Sequence, residues 1–465
     1  MTNHAAGFET LEDEITVDGL PVQGELPSWL RGSLIRTGPS RFEANGRSLN
    51  HWFDGQAMLH RFSFADGAVG YANRELDTRA DAAVRAGRVA YREFATDPCR
   101  SIFRRVVTMF APGVTDNANV NLTRIGKRFV AMTETPLPVE FDPRTLRALG
   151  VAEVERPDGN ITTAHPHHDP GRGELVNYAV KLGARSTYRV FGRSLNGPGR
   201  RTIARLATRR PAYMHSFGLT DRHVVLAEFP YVVDPLRLAF GKRPFIENYR
   251  WEPGRGTRLW LIDRGDGAVR GPFETDPVFA FHHVNAFERD GEVVVDLCAY
   301  DDPEIVRALY LERLRDPDPR VPMARLERWR IDLGAGAVRR ERLADEGLEL
   351  PRINYRRHNG RPYRAVYGAG ASGGFLDRLV KLDVEGGGAA VWREDGTWPG
   401  EPVFVPRPDA EAEDDGVTLS VVLDPARGRS FLLVLDAASF AERARAEVPH
   451  RIPFGFHGQF FGSLD

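Results

Sequence analysis

Short β-type runs closed by glycine-containing turns recur along almost the whole 465-residue chain, and they constrain the fold more than any other feature. HRFSFADGAVGYA, WLIDRGDGAVRG, AFERDGEVVVDLCAY, AVWREDGTW and SVVLDPARGRSFLLVLD each set a turn between apolar flanks. Asp-Gly suits a tight hairpin because its turn positions need positive φ, which these two residues tolerate. A chain made of many hairpins also makes many sheet edges, and these must be covered or closed off. The economical solutions are a closed barrel and a propeller. A barrel rarely needs 465 residues, whereas four-stranded blades of about 40–50 residues reach that length with several blades plus insertions. The expected class is therefore all-β, and the expected architecture a propeller. No WD or kelch signature is visible, so the pattern leaves the blade number open.

Helical patterns are few. The best are PEIVRALYLERLRD (303–316), DPCRSIFRRVVTMFAP (97–112) and DPLRLAFGKR (234–243). The 46 glycines and 32 prolines are spread without a linker or low-complexity stretch, so residues 1–465 are expected to form one propeller domain with inserted helices. The 63 Lys and Arg residues nearly equal the 64 Asp and Glu residues; no net field draws nucleic acid, which is not expected as a partner. Two cysteines, Cys99 and Cys298, and an N-terminus lacking the basic and apolar regions of a secretion signal point to a cytoplasmic compartment. No run approaches the roughly 18 apolar residues of a spanning helix. Any membrane contact is expected to be peripheral, on the inner face.

The chemistry-bearing signal is histidine. TTAHPHHDPGRGE holds three of the chain's 13 histidines, His165, His167 and His168. YMHSFGLTD places His215, VFAFHHVNAFE places His282 and His283, and PFGFHGQF places His457 among aromatic or small residues. Burial is expected there, and a buried imidazole needs a partner for both ring nitrogens. A lone histidine of this kind is ordinarily a core group bonded to backbone carbonyls. Four such contexts change the balance, because a propeller brings the inner strands of successive blades to one axis. Metal-bound imidazoles usually give their second N–H to a carboxylate or carbonyl. Glu134 in FVAMTETPL, Glu349 in GLELPRINY and Glu401 in WPGEPVFV are the acidic residues in suitably apolar surroundings. Four neutral imidazoles suit Fe, Cu, Zn or Ni alike, so ligand type alone does not name the ion.

Eleven ordered motifs carry a resemblance over nearly the whole chain: SLIRTGPSRFE, HWFDGQAMLHRF, DPCRSIF, VTDNANVNL, TETPL, AHPH, YMHSFGLT, FHHVNAFE, LPRINY, EDDGVTLSVV and FHGQF. Together they resemble the carotenoid cleavage oxygenases, above all the animal-type members, a family that includes the retinoid isomerase of the retinal pigment epithelium. The resemblance implies a seven-bladed β-propeller under a helical and loop dome, with one non-heme Fe(2+) on the axis. It implies His165, His215, His282 and His457 as metal ligands and catalytic centre. It pairs Glu134 with His215, Glu349 with His282 and Glu401 with His457, and leaves His165 without a carboxylate. His167, taken to continue a strand from His165, and His168 become bystanders.

The implied reaction is cleavage of one C=C bond of a carotenoid or apocarotenoid by O2, giving two carbonyl products. Central (15,15') scission to retinal is the specific expectation. The protein's share is positional, an apolar tunnel that sets one of many similar double bonds at the metal. Phe94, Phe103, Thr133, Phe281 and Phe456 are the candidate lining residues. Segments 98–112 and 231–246 mix apolar and basic side chains and are candidates for peripheral membrane contact. Cleavage of a stilbene is the first alternative; Thr133 and Phe103 stand where stilbene-cleaving members are expected to have a lysine and a tyrosine. Retinoid isomerohydrolase chemistry is the second.

Overall fold

The computed structural model describes residues 3–96, 114–197, 199–240 and 243–465. Strand accounts for 48% of the chain and helix for 9%, which makes the class all-β. Among the described residues seven sheets of four to six strands form the seven blades of a propeller. The blade built on Phe279–Arg289, Glu292–Tyr300, Arg325–Asp332 and Val338–Gly347 is a plain antiparallel meander.

The ring closes twice. Near the N-terminus, Val22–Gly24 pairs with Glu442–Glu447 and joins the last blade. Near the C-terminus, Gly458–Phe461 pairs with Gly32–Arg41 and completes the first. Each chain end thus supplies a strand to the other end's blade, and the edges that a linear array would expose are paired. Apolar residues on alternate strand positions fill the spaces between sheets. One such cluster joins Leu34, Phe62 and Tyr71 of the first blade to Leu419, Leu432 and Val434 of the last.

The Asp-Gly turns act mostly as expected. Asp66 and Gly67 lie at φ 51° and 75° between paired strands, and Asp290 and Gly291 at 53° and 81°. WLIDRGDGAVRG and SVVLDPARGRSFLLVLD are hairpins as well. AVWREDGTW is not. Its flanks, Gly388–Trp392 and Trp398–Pro399, belong to different sheets, because the chain there returns from the outer strand of one blade to begin the next.

The 303–316 pattern forms two short helices, α1 (Glu304–Ala308) and α2 (Leu311–Leu314), rather than one. The 231–246 segment is less of a surface patch than expected. Leu236 and Arg237 are exposed, but Leu238 and Ile246 are buried in the main core. The segment 98–112, with Cys99 and Phe103, lies outside the described residues. Among the described residues no helix is long and apolar enough to cross a membrane.

Candidate metal centre

Four histidines from four parts of the chain meet on the axis. Ring nitrogens of His165, His215, His282 and His457 that could hold a metal ion all lie within 4.8 Å of one another. His282 stands at a bulge, since the register of Phe279–Arg289 shifts between Ala280 and His283. Strict alternation would send Phe281 and His282 to opposite faces; the bulge lets both border the same cavity. His165 precedes the strand His167–Asp169 and does not lie in it, because Pro166 has no N–H with which to extend the ladder. His167 and His168 are engaged elsewhere. The His167 ring contacts Phe217 O, Asn359 and Tyr355, and His168 Nε2 lies 2.6 Å from Thr123 Oγ1.

Three of the four rings are oriented by carboxylates. His215 Nδ1 lies 2.7 Å from Glu134, His282 Nδ1 2.6 Å from Glu349 and His457 Nδ1 2.7 Å from Glu401. Among the described residues no carboxylate bonds His165. The glutamates are themselves held: Tyr213 Oη donates to Glu134, Tyr300 Oη and Leu350 N donate to Glu349, and Gly458 N donates to Glu401. Leu350 adopts φ 51°, an unfavourable value for a bulky residue, and its N–H turns back onto Glu349.

A ring of further bonds ties the histidine segments together. Thr163 Oγ1 donates to His215 O and accepts from His165 N. Ser216 Oγ donates to Phe281 O and accepts from His283 N. Asn121 donates to Ala164 O, and His457 N to Val120 O. None of these bracing residues stands out in the sequence, since a serine or asparagine near a strand end is common.

The electrostatics suit a cation. Burial lowers the pKa of His165 and His215 and takes His457 to about 4, so these imidazoles are neutral near pH 7. Burial also pushes Glu401 up, but Arg352, His457 and Arg36 more than offset it and hold the carboxyl at about 2. With Nδ1–H given to glutamate, Nε2 of His282 and of His457 each present a lone pair, and the two nitrogens are 3.2 Å apart. His165 and His215 Nε2 are 2.9 Å apart. Nitrogens at these distances are bridged either by a shared proton or by a cation held between them. Metal–imidazole bonds of about 2.0–2.1 Å at right angles set neighbouring nitrogens about 3 Å apart. The donor set therefore fits a metal ion.

Two unlike cavities reach the centre. One, about 710 Å³ with its open mouth, is walled by Trp52, Phe53, Phe281, Ile305, Leu309, Phe375 and Phe456 among others, and reaches His215, His282 and His457. The other, about 1140 Å³ with its open mouth, is lined by Asn121, Thr123, His167, His168, Tyr355 and Gln459 and reaches His165, His282 and His457. Of the expected lining residues, Phe281 and Phe456 wall the apolar cavity. Phe94 does not; it packs behind that wall against His51, Phe53 and Tyr213. Thr133 is half-buried beyond the strand Arg128–Met132 and is also absent from the wall. Phe53, absent from the expected set, takes the inner place.

Residues 8–462 match the family model described as retinal pigment epithelial membrane protein. The chain belongs to that family. The relatives are carotenoid-cleaving enzymes. The mitochondrial carotenoid-cleaving dioxygenase of Mustela putorius furo is 35% identical, with 97% of this chain and 95% of that protein covered. The carotenoid isomerooxygenase of Galleria mellonella is 34% identical, covering 97% and 95%. The Rattus norvegicus beta,beta-carotene 15,15'-dioxygenase is 33% identical, covering 94% and 88%. Among solved structures, a variant of the Synechocystis apocarotenoid oxygenase superposes with a TM-score of 0.88 at 28% identity over 99% of this chain and 98% of that one. Its cobalt-substituted form matches equally well, at 27% identity. Like these members of the family, the chain is an oxygenase of the carotenoid cleavage type.

Proposed function

We propose that the protein is an iron(II)-dependent dioxygenase that cleaves one conjugated C=C bond of a carotenoid or apocarotenoid to two carbonyl products, centrally where the substrate allows it. The observation that carries this reading is the apolar cavity ending on His215, His282 and His457. Among the described residues, the polar wall groups apart from the histidines are already bonded: Trp52 Nε1 donates to Phe454 O, and Tyr300 Oη to Glu349. A phenol or a carboxylate entering it would lose hydration without replacement, whereas a hydrocarbon polyene loses nothing. This favours the polyene over a hydroxystilbene.

The metal ligands of the reading are His165, His215, His282 and His457. Iron(II), which these four imidazoles would hold, would supply the activation of O2. The chain's own part is to hold the rings in one tautomer through Glu134, Glu349 and Glu401, and to keep water from the polyene with the Trp52, Phe53, Phe281 and Phe456 wall. Placement in the cytoplasm, touching the inner face of a membrane through the exposed Leu236 and Arg237, belongs to the same reading.

The test is turnover of β-carotene, an apocarotenal and resveratrol by iron-loaded protein under labelled O2, with products read by mass. Paired carbonyl products carrying label from a polyene are expected. Turnover of resveratrol alone, or products without oxygen from O2, overturns the reading. Iron bound in stoichiometric amount and lost in His282→Ala is the companion result for the metal.

A further inference from the structure

The three carboxylates behind the metal centre are not equivalent. Glu134 and Glu349 are backed by the hydroxyls of Tyr213 and Tyr300, whereas Glu401, which is completely buried, faces two guanidinium groups. Arg36 Nη1 lies 3.6 Å from Glu401 Oε2, and Arg352 Nη1 lies 3.5 Å from Oε1. The same two side chains grip the backbone on both sides of His457. Arg36 donates to Phe456 O at 3.2 Å and to Glu401 O at 3.3 Å. Arg352 donates to Gly458 O at 3.0 Å and to Gln459 Oε1 at 3.1 Å.

The neighbouring sequence makes room for this arrangement. A Cβ on Gly458 would come within 2.6 Å of Arg36 Cγ and 3.0 Å of Ile35 O. Arg36 belongs to the strand that pairs with Gly458–Phe461 in closing the ring. Arg352 ends the strand that begins with Glu349, the partner of His282.

We propose that Arg36 and Arg352 are positioning residues that clamp His457 and Glu401, so that closure of the ring also completes the metal centre. The inference rests on the metal-centre reading given above. A planar guanidinium can face a carboxylate oxygen and donate to a carbonyl at the same time; a lysine ammonium supplies the charge without that fork. Removing either arginine leaves a buried anion short of compensation and frees a carbonyl beside His457.

The experiment measures iron release to excess ferrous chelator and the ligand-field absorption of the cobalt(II)-substituted protein, for wild type, Arg352→Met, Arg352→Lys and Arg36→Met. Release some 10–100-fold faster is expected for Arg352→Met, the usual range when a group supporting a ligand is lost, with a shifted cobalt spectrum and partial recovery in Arg352→Lys. Arg352→Met is further expected to add little in a Glu401→Gln background and its full effect in a Glu134→Gln background, since only the first pair is in contact. Arg352 lies nearer the surface than Arg36, so its variants decide the matter if Arg36→Met does not fold. Unchanged release and an unchanged spectrum in folded Arg352→Met, or full additivity with Glu401→Gln, overturns the clamp. A wild-type protein that holds neither iron nor cobalt overturns the metal-centre reading itself.

Discussion

A histidine can hold a metal only if its free nitrogen is kept free, and for three of the four rings here that depends on one glutamate acceptor each. Glu349→Gln retains an acceptor for His282 Nδ1 but removes the charge that raises the ring's basicity. Metal affinity is expected to fall about 10-fold, read by chelator competition, and further in Glu349→Ala. Away from the centre, His60 is held neutral. Burial, with His450 and Arg36, takes its pKa to about 3, and its Nδ1 pairs with Tyr71 Oη at 2.8 Å. In the unfolded chain this imidazole takes up a proton below about 6.5. Its contribution to stability is therefore complete above that pH and lost as pH falls toward 3, amounting to about 2 kcal/mol by pH 5. Urea midpoints at pH 7.5 and pH 5 check this: His60→Leu is expected to show a correspondingly smaller loss between the two.

At the scale of elements, a strand that closes the ring and a hairpin turn of the same blade have unequal tolerance for added bulk. A Cβ on Gly38 would sit 2.6 Å from Gly455 Cα, against backbone with no flexible side chain to yield. Gly38→Ala is expected to cost about 1–3 kcal/mol and to lower Tm accordingly. A Cβ on Gly67 meets nothing within 4 Å, so Gly67→Ala is expected to cost only the backbone penalty at positive φ, about 1–2 kcal/mol. The Asp-Gly turns at 66–67 and 290–291 were legible because a hairpin needs only local residues. The same dipeptide in AVWREDGTW links two blades instead, and nothing within nine residues distinguishes the cases. His165 was misplaced for a different reason: the period-2 reading continued through Pro166, which cannot join a ladder.

For the whole molecule, extensive apolar clusters between the blades hold the ring together away from the histidines, so metal removal is expected to leave the far-ultraviolet circular dichroism unchanged. Thermal stability should nonetheless fall, since an ion bound at 1,000 times its Kd adds about 4 kcal/mol; calorimetry of chelated and reloaded protein checks both. By itself the sequence determined the class, through turn chemistry and strand alternation, and it marked the contexts of His215, His282 and His457 and the three glutamates by their apolar settings, while the choice of His165 within AHPH and of His282 within FHH came from the family resemblance. The apolar settings are local signals, and each of those contexts carries its own. Only the tertiary structure decided that Arg36 and Arg352 meet at Glu401, that Thr163 and Ser216 brace the ligand segments, and that Phe53 rather than Phe94 walls the cavity. Those outcomes depend on which blades become neighbours when the ring closes, and contacts between residues hundreds of positions apart leave no pattern in either neighbourhood.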